Sequence, residues 1–388
     1  MTPVYLDYAA TTPVRDEVLE AMEPFANQRF GNPSSMHRWG RAARAALDEA
    51  RATVADAIGA RPSEIVFVRG GTESDNLAVV GGFDALAEKG PATVAVSAIE
   101  HSAVLEPALR IEGTGRGRTT VLGVTPDGVL DLDRLHTSAA TAPTLASVMW
   151  ANNETGIMLP VAEAASIVHE HGGLLHSDAC QALGKVPVDV REVPVDLLSV
   201  TGHKIHGPKG AGFLFIRAGR SVRPHLFGGS QELSIRPGTE DVAGAVGLAT
   251  AVKLAVDEVA THSAHLSELH DRLEAQLLDR VPGVRVNGAE ARRAPHVSSI
   301  GVPEIDDGSA LLMALDLEGV AVSGGSACHS GSGKASHVIS ALFGAEDRFA
   351  TIRFSFGRGT TVQEIDHAVD VTSTVLNRVR GATAGVAR

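Results

Sequence analysis

Residues 195–216, VDLLSVTGHKIHGPKGAGFLFI, place two short apolar runs on either side of a glycine-rich loop that carries Lys204. The runs VDLLSV (195–200) and AGFLFI (211–216) read as buried strands, being short, apolar and bounded by Gly and Pro. Lys204 falls just past the end of the first, where open α/β sheets place their ligands. A lone lysine is most often a solvated surface residue. The flanking Gly-His-Lys and Gly-Pro-Lys-Gly weaken that expectation and open a second reading, Schiff-base chemistry, which needs an amine whose pKa is lowered by burial or nearby cations. His203, next to it, is a candidate phosphate donor.

The same pattern extends outward. The runs 64–68 (EIVFV), 92–97 (ATVAVS), 145–150 (LASVMW) and 173–178 (GLLHSD) also read as buried strands, and helical segments such as 161–171 (VAEAASIVHEH) separate several of them. Upstream, 37–58 puts Leu47, Ala50, Val54, Ala57 and Ile58 on one helical face, with Gly59 as the stop. This alternation predicts an α/β domain with a largely parallel sheet. Beyond it, Val252, Val256, Val259, Leu266, Leu269, Leu273 and Leu277 predict one long amphipathic helix ending near Pro282-Gly283. The stretches 296–301, 309–317, 320–323, 337–343, 351–356 and 361–380 predict a smaller C-terminal α/β domain. Thr361-x-x-Glu364 before Ile365 reads as a capping box for the last helix.

Composition narrows the function. The 388 residues carry a net charge of −12 and contain no block of five basic residues, which argues against a dedicated nucleic-acid surface. The longest apolar runs fall short of the roughly 18–20 residues that a membrane span needs. The opening MTPVYLDYAATTP has neither a basic nor an apolar leader region, so no signal peptide is expected. Two cysteines, Cys180 and Cys328, exclude a disulfide framework, and no metal site is expected. A reducing cytoplasm is the simplest compartment.

Five further groups of residues bear on chemistry. GGTESDNL (70–77) puts a glycine-rich turn at a helix start, where free N–H groups favour a phosphate; the plain alternative is an ordinary turn with a Thr cap. Asp178 in HSDACQ (176–181) ends a buried strand and needs a cation or several donors there. A protonated pyridine nitrogen is one such partner, and capping the next helix is the other reading. His101 follows a strand and could stack on a cofactor ring or move protons. Cys328 lies in the Gly/Ser-rich stretch 323–336, SGGSACHSGSGKAS, where a thiol that attacks at one place and delivers at another would be suited. Arg353 in TIRFSFGR (351–358) is a cation in an apolar strand, expected to pair with a carboxylate from the protein or from a substrate.

In this order the motifs resemble the cysteine desulfurases of the class V aminotransferase group, of pyridoxal-phosphate (PLP) fold type I, in its longer-loop NifS/IscS branch. The resemblance rests on YLDYAATTP (5–13), FGNPSS (30–35), GGTESDNLA (70–78), EH (100–101), ANNETG (151–156), HSDACQALGK (176–185), TGHKIHGPKG (201–210), RPGTED (236–241), SGGSAC (323–328) and IRFSFGR (352–358). It implies a large domain over 15–255 with a mainly parallel seven-stranded sheet, and a small domain made of 1–14 and 256–388. It implies PLP as cofactor, with Lys204 as the Schiff-base residue. Gly71, Thr72, Thr201 and His203 would hold the phosphate, helped by Thr239 from the second subunit of a homodimer. Asp178 would pair with the pyridine nitrogen, Gln181 and Asn153 would approach the ring oxygen, and His101 would stack on the ring. Arg353, with Asn32 and Asn153, would hold the substrate carboxylate.

The implied reaction converts L-cysteine to L-alanine and leaves a persulfide on Cys328. An acceptor protein would take the sulfur, for iron–sulfur cluster assembly first, or for tRNA thiolation or phosphorothioate modification of DNA. Other readings are a selenocysteine lyase, another PLP enzyme of this fold, or a non-catalytic partner in a sulfur system. Thr201 stands where Ser is usual, His206 where an aromatic is frequent, Pro237 where Ser is common, and His329 where Thr is usual. His329 is expected to favour the Cys328 thiolate. Cys180 is expected to be structural.

Overall fold

The apolar runs become strands because each can bury both faces at once. In the computed structural model, which describes residues 3–305, 308–324, 336–347 and 349–386 (side chains to 379), β1 (Val4–Tyr5) opens the chain. Seven strands then form one sheet: β2 (Ile65–Val68), β3 (Thr93–Ser97), β4 (Arg118–Leu122), β5 (Thr144–Ser147), β6 (Leu174–Asp178), β7 (Leu197–Thr201) and β8 (Gly212–Ile216). Their order is β2-β8-β7-β6-β5-β3-β4, and β8 runs antiparallel to both neighbours while the other pairings are parallel. Every residue of β3, β5, β6, β7 and β8 is buried.

The apolar-run reading finds every strand of this sheet except β4. That strand, RTTVL, is an edge strand with β3 as its only neighbour among the described residues, and just its last residue is buried. An edge strand needs no continuous apolar run. The long helix expected across 252–277 is instead two helices, Val242–Asp257 and Val259–Arg280. Glu258 lies between them, its carboxylate 2.9 Å from Arg15 and 3.3 Å from Arg358. The apolar spacing continues through this point, but the ion pairs tie the junction to two other segments and the helix turns there.

The remaining strands belong to the smaller domain. β9 (Arg285–Val286), β10 (Val297–Val302) and β12 (Ala350–Ser355) form an antiparallel sheet, and β11 (Val320–Ala321) pairs in parallel with β1. Val4 and Leu6 therefore share an apolar core with Leu266, Leu273, Ile300, Phe354 and Leu376. The expected capping box is present: Thr361 N donates to Glu364 at 2.7 Å, and Glu364 N donates to Thr361 Oγ1 at 3.2 Å. No helix is long and apolar enough to cross a membrane among the described residues.

One buried ion pair anchors the loop that leads to Thr239. Arg51 donates to both Glu232 oxygens at 2.8 and 2.6 Å and to Ile65 O, while Glu232 also accepts from Phe67 N at 2.8 Å. Glu232, Leu233 and Ser234 all have positive φ (43°, 59° and 63°), a run that non-glycine residues adopt only when their surroundings enforce it. Glu232→Ala should therefore destabilise the fold by about 3 kcal/mol, because it strands the Arg51 charge. Urea unfolding measures this, and a loss within experimental error would contradict it.

Candidate active site

The carboxyl ends of β6 and β7 bring Asp178 and Lys204 to one cavity of about 310 Å³. Lys204 sits in the single-turn helix Gly202–Lys204 that follows β7. Its ammonium donates to Ala10 O at 2.7 Å and to Ala9 O. Burial, then the nearby Arg353 charge, lowers the Lys204 pKa to about 8. Asp178 is the last residue of β6 and is buried; its Oδ1 accepts from Cys180 N at 2.8 Å.

His101 caps the helix Ser102–Gly113, and its Nδ1 accepts from Ala103 N at 3.1 Å. The neutral ring therefore carries its proton on Nε2. Burial holds the His101 pKa below the usual range, so the neutral form prevails at neutral pH. His337 also borders the cavity, with Nε2 2.8 Å from Glu100 O.

The cavity continues into a recess where Gly71, Thr72, Thr201 and His203 meet Arg69, Gly70, Lys209 and Gly210. Gly70 has φ +122°, a conformation few other residues adopt, and a Cβ on Gly71 would lie 3.0 Å from Cys180 Sγ. Backbone N–H groups at the start of the helix Gly71–Asn76 are thereby left open to this recess. Thr201 Oγ1 donates to Ala211 O at 3.4 Å. His203 Nδ1 lies 3.2 Å from Thr11 Oγ1, and burial together with the adjacent lysines pushes its pKa down to about 4.

Gln181 and Arg353 tie the cavity to the smaller domain. Gln181 Nε2 donates to Ala9 O at 2.9 Å, and Gln181 Oε1 lies 2.9 Å from His296 Nε2. Arg353, 2% exposed, donates to Asp7 Oδ1 at 2.6 Å and to the backbone oxygen of Asn153 at 2.8 Å. Of the two carboxylates that the sequence left open for Arg353, the one in place is the protein's own Asp7.

Two of the expected residues stand apart within this chain. Asn32 is exposed, its Oδ1 accepting from Ser34 N at 2.9 Å, and Thr239 is exposed beside Gly238. Neither borders the cavity. Cys328 and His329 lie outside the described residues. Cys180 is buried against the cavity wall, and burial, reinforced by Asp178, raises its pKa well above the usual thiol value.

Several buried polar groups around the site escaped the sequence reading. His176 bridges Ser147 Oγ at 2.8 Å and Ser199 Oγ at 2.9 Å, and burial takes its pKa to about 4. Asp75 lies 3.6 Å from His176 Nε2; burial and Asp178 push its carboxyl well up. Lys185 donates to Lys204 O, with its pKa lowered by burial to about 7. Asp7, Asp75 and Lys185 all sit inside motifs already singled out, but a motif does not say which of its residues turn inward. Away from the site, His136, Glu170 and His171 bring potential ligand atoms within 4.8 Å of one another, but two of the three are exposed. That spread is loose for a tetrahedral ion with bonds of about 2.0–2.2 Å.

Known proteins resemble this chain over nearly its whole length. The aminotransferase class-V family model matches residues 4–368. The chain is 44% identical to the cysteine desulfurase IscS of Dictyoglomus turgidum over 97% of this chain and 95% of that one. It is 42% identical to the putative cysteine desulfurase IscS 1 of Bacillus subtilis, over 98% of this chain and all of that one. Among solved structures, a NifS-like protein superposes with a TM-score of 0.88 at 34% identity, covering 97% of this chain and all of its own. SspA in complex with cysteine superposes at 0.76 with 32% identity, over 91% and 98% of the two chains. The sheet order, the lysine and aspartate at its carboxyl ends and these full-length matches agree: the chain belongs to the class-V aminotransferase family, among its NifS/IscS-like cysteine desulfurases.

Proposed function

We propose that this chain is a PLP-dependent cysteine desulfurase, which converts L-cysteine and the Cys328 thiol to L-alanine and a Cys328 persulfide. The observation that carries this reading is the Lys204 amine, with its lowered pKa, sharing one cavity with the buried Asp178 carboxylate. The cavity suits PLP on three counts. Asp178 offers a buried carboxylate to a pyridinium nitrogen. Gly71, Thr72, Thr201 and His203 border a recess able to take a phosphate, with Thr239 of a second subunit completing it. Lys204 supplies the amine. When bound, PLP supplies the electron sink that makes the α-proton of an amino acid labile.

The chain's own groups do the rest. Asp178 would hold the ring nitrogen in its protonated form through a charge-assisted hydrogen bond. His101 would stack on the ring, and Gln181 and Asn153 would face its oxygen. Lys204, with its pKa lowered to about 8, reaches its neutral amine form far more readily than an ordinary lysine and in that form would move the substrate α-proton. Ala9 O and Ala10 O receive its ammonium form. Arg353 would hold the substrate carboxylate with Asn153, and with Asn32 of a second copy. Since its guanidinium already meets Asp7, the incoming carboxylate shares that cation or displaces Asp7 from it. Cys328 takes the substrate sulfur.

A homodimer fits the surface. Phe30 (67% exposed), Met36 (92%) and Phe227 (89%) are large apolar residues on the segments near Asn32 and Thr239. A second copy that covers them would bring Asn32 and Thr239 toward a neighbouring site. We take residues 15–255 as the cofactor-binding domain and 1–14 with 256–388 as the small domain, a division supported by the packing of Val4 and Leu6 with residues 266–376. The sulfur acceptor is a protein, with iron–sulfur cluster assembly as the first candidate and a reducing cytoplasm as the setting.

Incubation with PLP, L-cysteine and a reductant should release sulfide and alanine. In Cys328→Ser, sulfide release should fall by about 10²-fold or more while the cofactor's visible absorption remains. A mutant as fast as the wild type would overturn the reading. Lys204→Ala should lose both the absorption and the turnover. Only the neutral amine attacks an aldehyde, so uptake of PLP by the unloaded chain should quicken as pH rises, with a midpoint of about 8 instead of the 10.5 of an ordinary lysine. Stopped-flow absorbance measures that midpoint, and a rate flat across this range would contradict the role of Lys204.

A further inference from the structure

Gln181 presents one amide group to two different partners, and the chemistry of those partners fixes which way the amide lies. Ala9 O is a carbonyl and can only accept, so the Gln181 atom 2.9 Å from it is the NH₂ group. The other amide atom is then the oxygen, which can only accept. The His296 ring nitrogen 2.9 Å away must therefore carry a proton, so His296 Nε2 donates. Reversing the amide would set oxygen against oxygen at Ala9. Gln181 is 5% exposed and His296 1%, so water has little access with which to repair a wrong orientation.

We propose that His296 is a positioning residue for the reaction: by donating to Gln181 Oε1 it locks the amide so that the one N–H not used by Ala9 is left for the cavity. This rests on the proposed function, in which Gln181 faces the oxygen of the cofactor ring. His296 reaches the site from the smaller domain, immediately before β10, and has no contact with the cavity of its own. Its Nδ1 has no hydrogen-bond partner among the described residues. The ring is therefore tied to one bond, the one to Gln181.

The surroundings keep His296 neutral without removing that bond. Lys185, His262, Arg353 and Lys204 all face it, and burial, reinforced by these charges, holds its pKa well below the usual range. A neutral imidazole has one proton, and the Gln181 oxygen fixes it on Nε2. The same Ala9 carbonyl that accepts from Gln181 also accepts from the Lys204 ammonium. His296, Gln181, Ala9 and Lys204 thus form one connected chain of hydrogen bonds from the smaller domain to the reactive amine.

The test uses the full-length chain loaded with PLP and reads the pH midpoint of its visible absorption. An N–H donated to the ring oxygen favours its ionised form and holds the midpoint low. His296→Leu should move the midpoint upward by about one pH unit. His296→Gln, which places an N–H where Nε2 stands, should restore it. Gln181→Leu should shift it as far as His296→Leu does, with no further shift in the double variant. A normal midpoint in His296→Leu beside a shifted one in Gln181→Leu would overturn the proposal. Absence of any visible band from the wild type would instead overturn the proposed function beneath it. Nitrogen NMR of the unloaded native chain gives a reading that no folding defect can confuse: the imidazole proton is expected on Nε2, and finding it on Nδ1 would overturn the proposal.

Discussion

A buried guanidinium must find partners for its charge, and Arg353 finds them by joining three distant segments. It stands on β12, meets Asp7 near the start of the chain, and meets the Asn153 backbone beyond β5. At 2% exposure, water does not substitute for these partners. The smaller domain is therefore held against the carboxyl ends of the large sheet through the same charge proposed to bind substrate. The segment with Asp7 goes on to Ala9 and Ala10, whose carbonyls receive Lys204, and to Thr11 beside His203. One ion pair thus orders the stretch that completes the lysine's surroundings.

The large sheet was legible because its inner strands are buried on both faces. ATVAVS, GLLHSD and VDLLSV can hide that many apolar atoms in few other ways. The sites at their ends were legible for a related reason: Asp178 and Lys204 are charges placed where an apolar run stops. β4 was not legible, since an edge strand that buries little can be built from Arg and Thr. The break at Glu258 was not legible either, because the apolar spacing runs on unbroken while the turn depends on Arg15 and Arg358, far away in sequence.

Residues that act through others left no local mark. Sixteen histidines gave no ground for choosing His176 or His296, whose significance lies in partners 23 to 115 residues away. The same holds for the Ala9 and Ala10 carbonyls, since nothing in the side chain of an alanine announces what its backbone accepts. Around the cavity, burial drives the imidazoles of His101, His176, His203 and His296 toward neutrality. Their hydrogen bonds then have fixed directions, which a mixture of charged and neutral rings would blur.

The contact between Asp7 and Arg353 spans 346 residues of chain, and the β1–β11 pairing spans nearly as many. Contacts this far apart in sequence pay the full entropy of closing the loop between them before they contribute stability. During synthesis, residues 4–7 lack their partners in the smaller domain until the strands around 320 and 353 exist. The large sheet can form early, but the segment that carries the carbonyl acceptors of its reactive lysine is not anchored to the smaller domain until then. Activity should thus arise as a late event in folding, well after most of the secondary structure is in place.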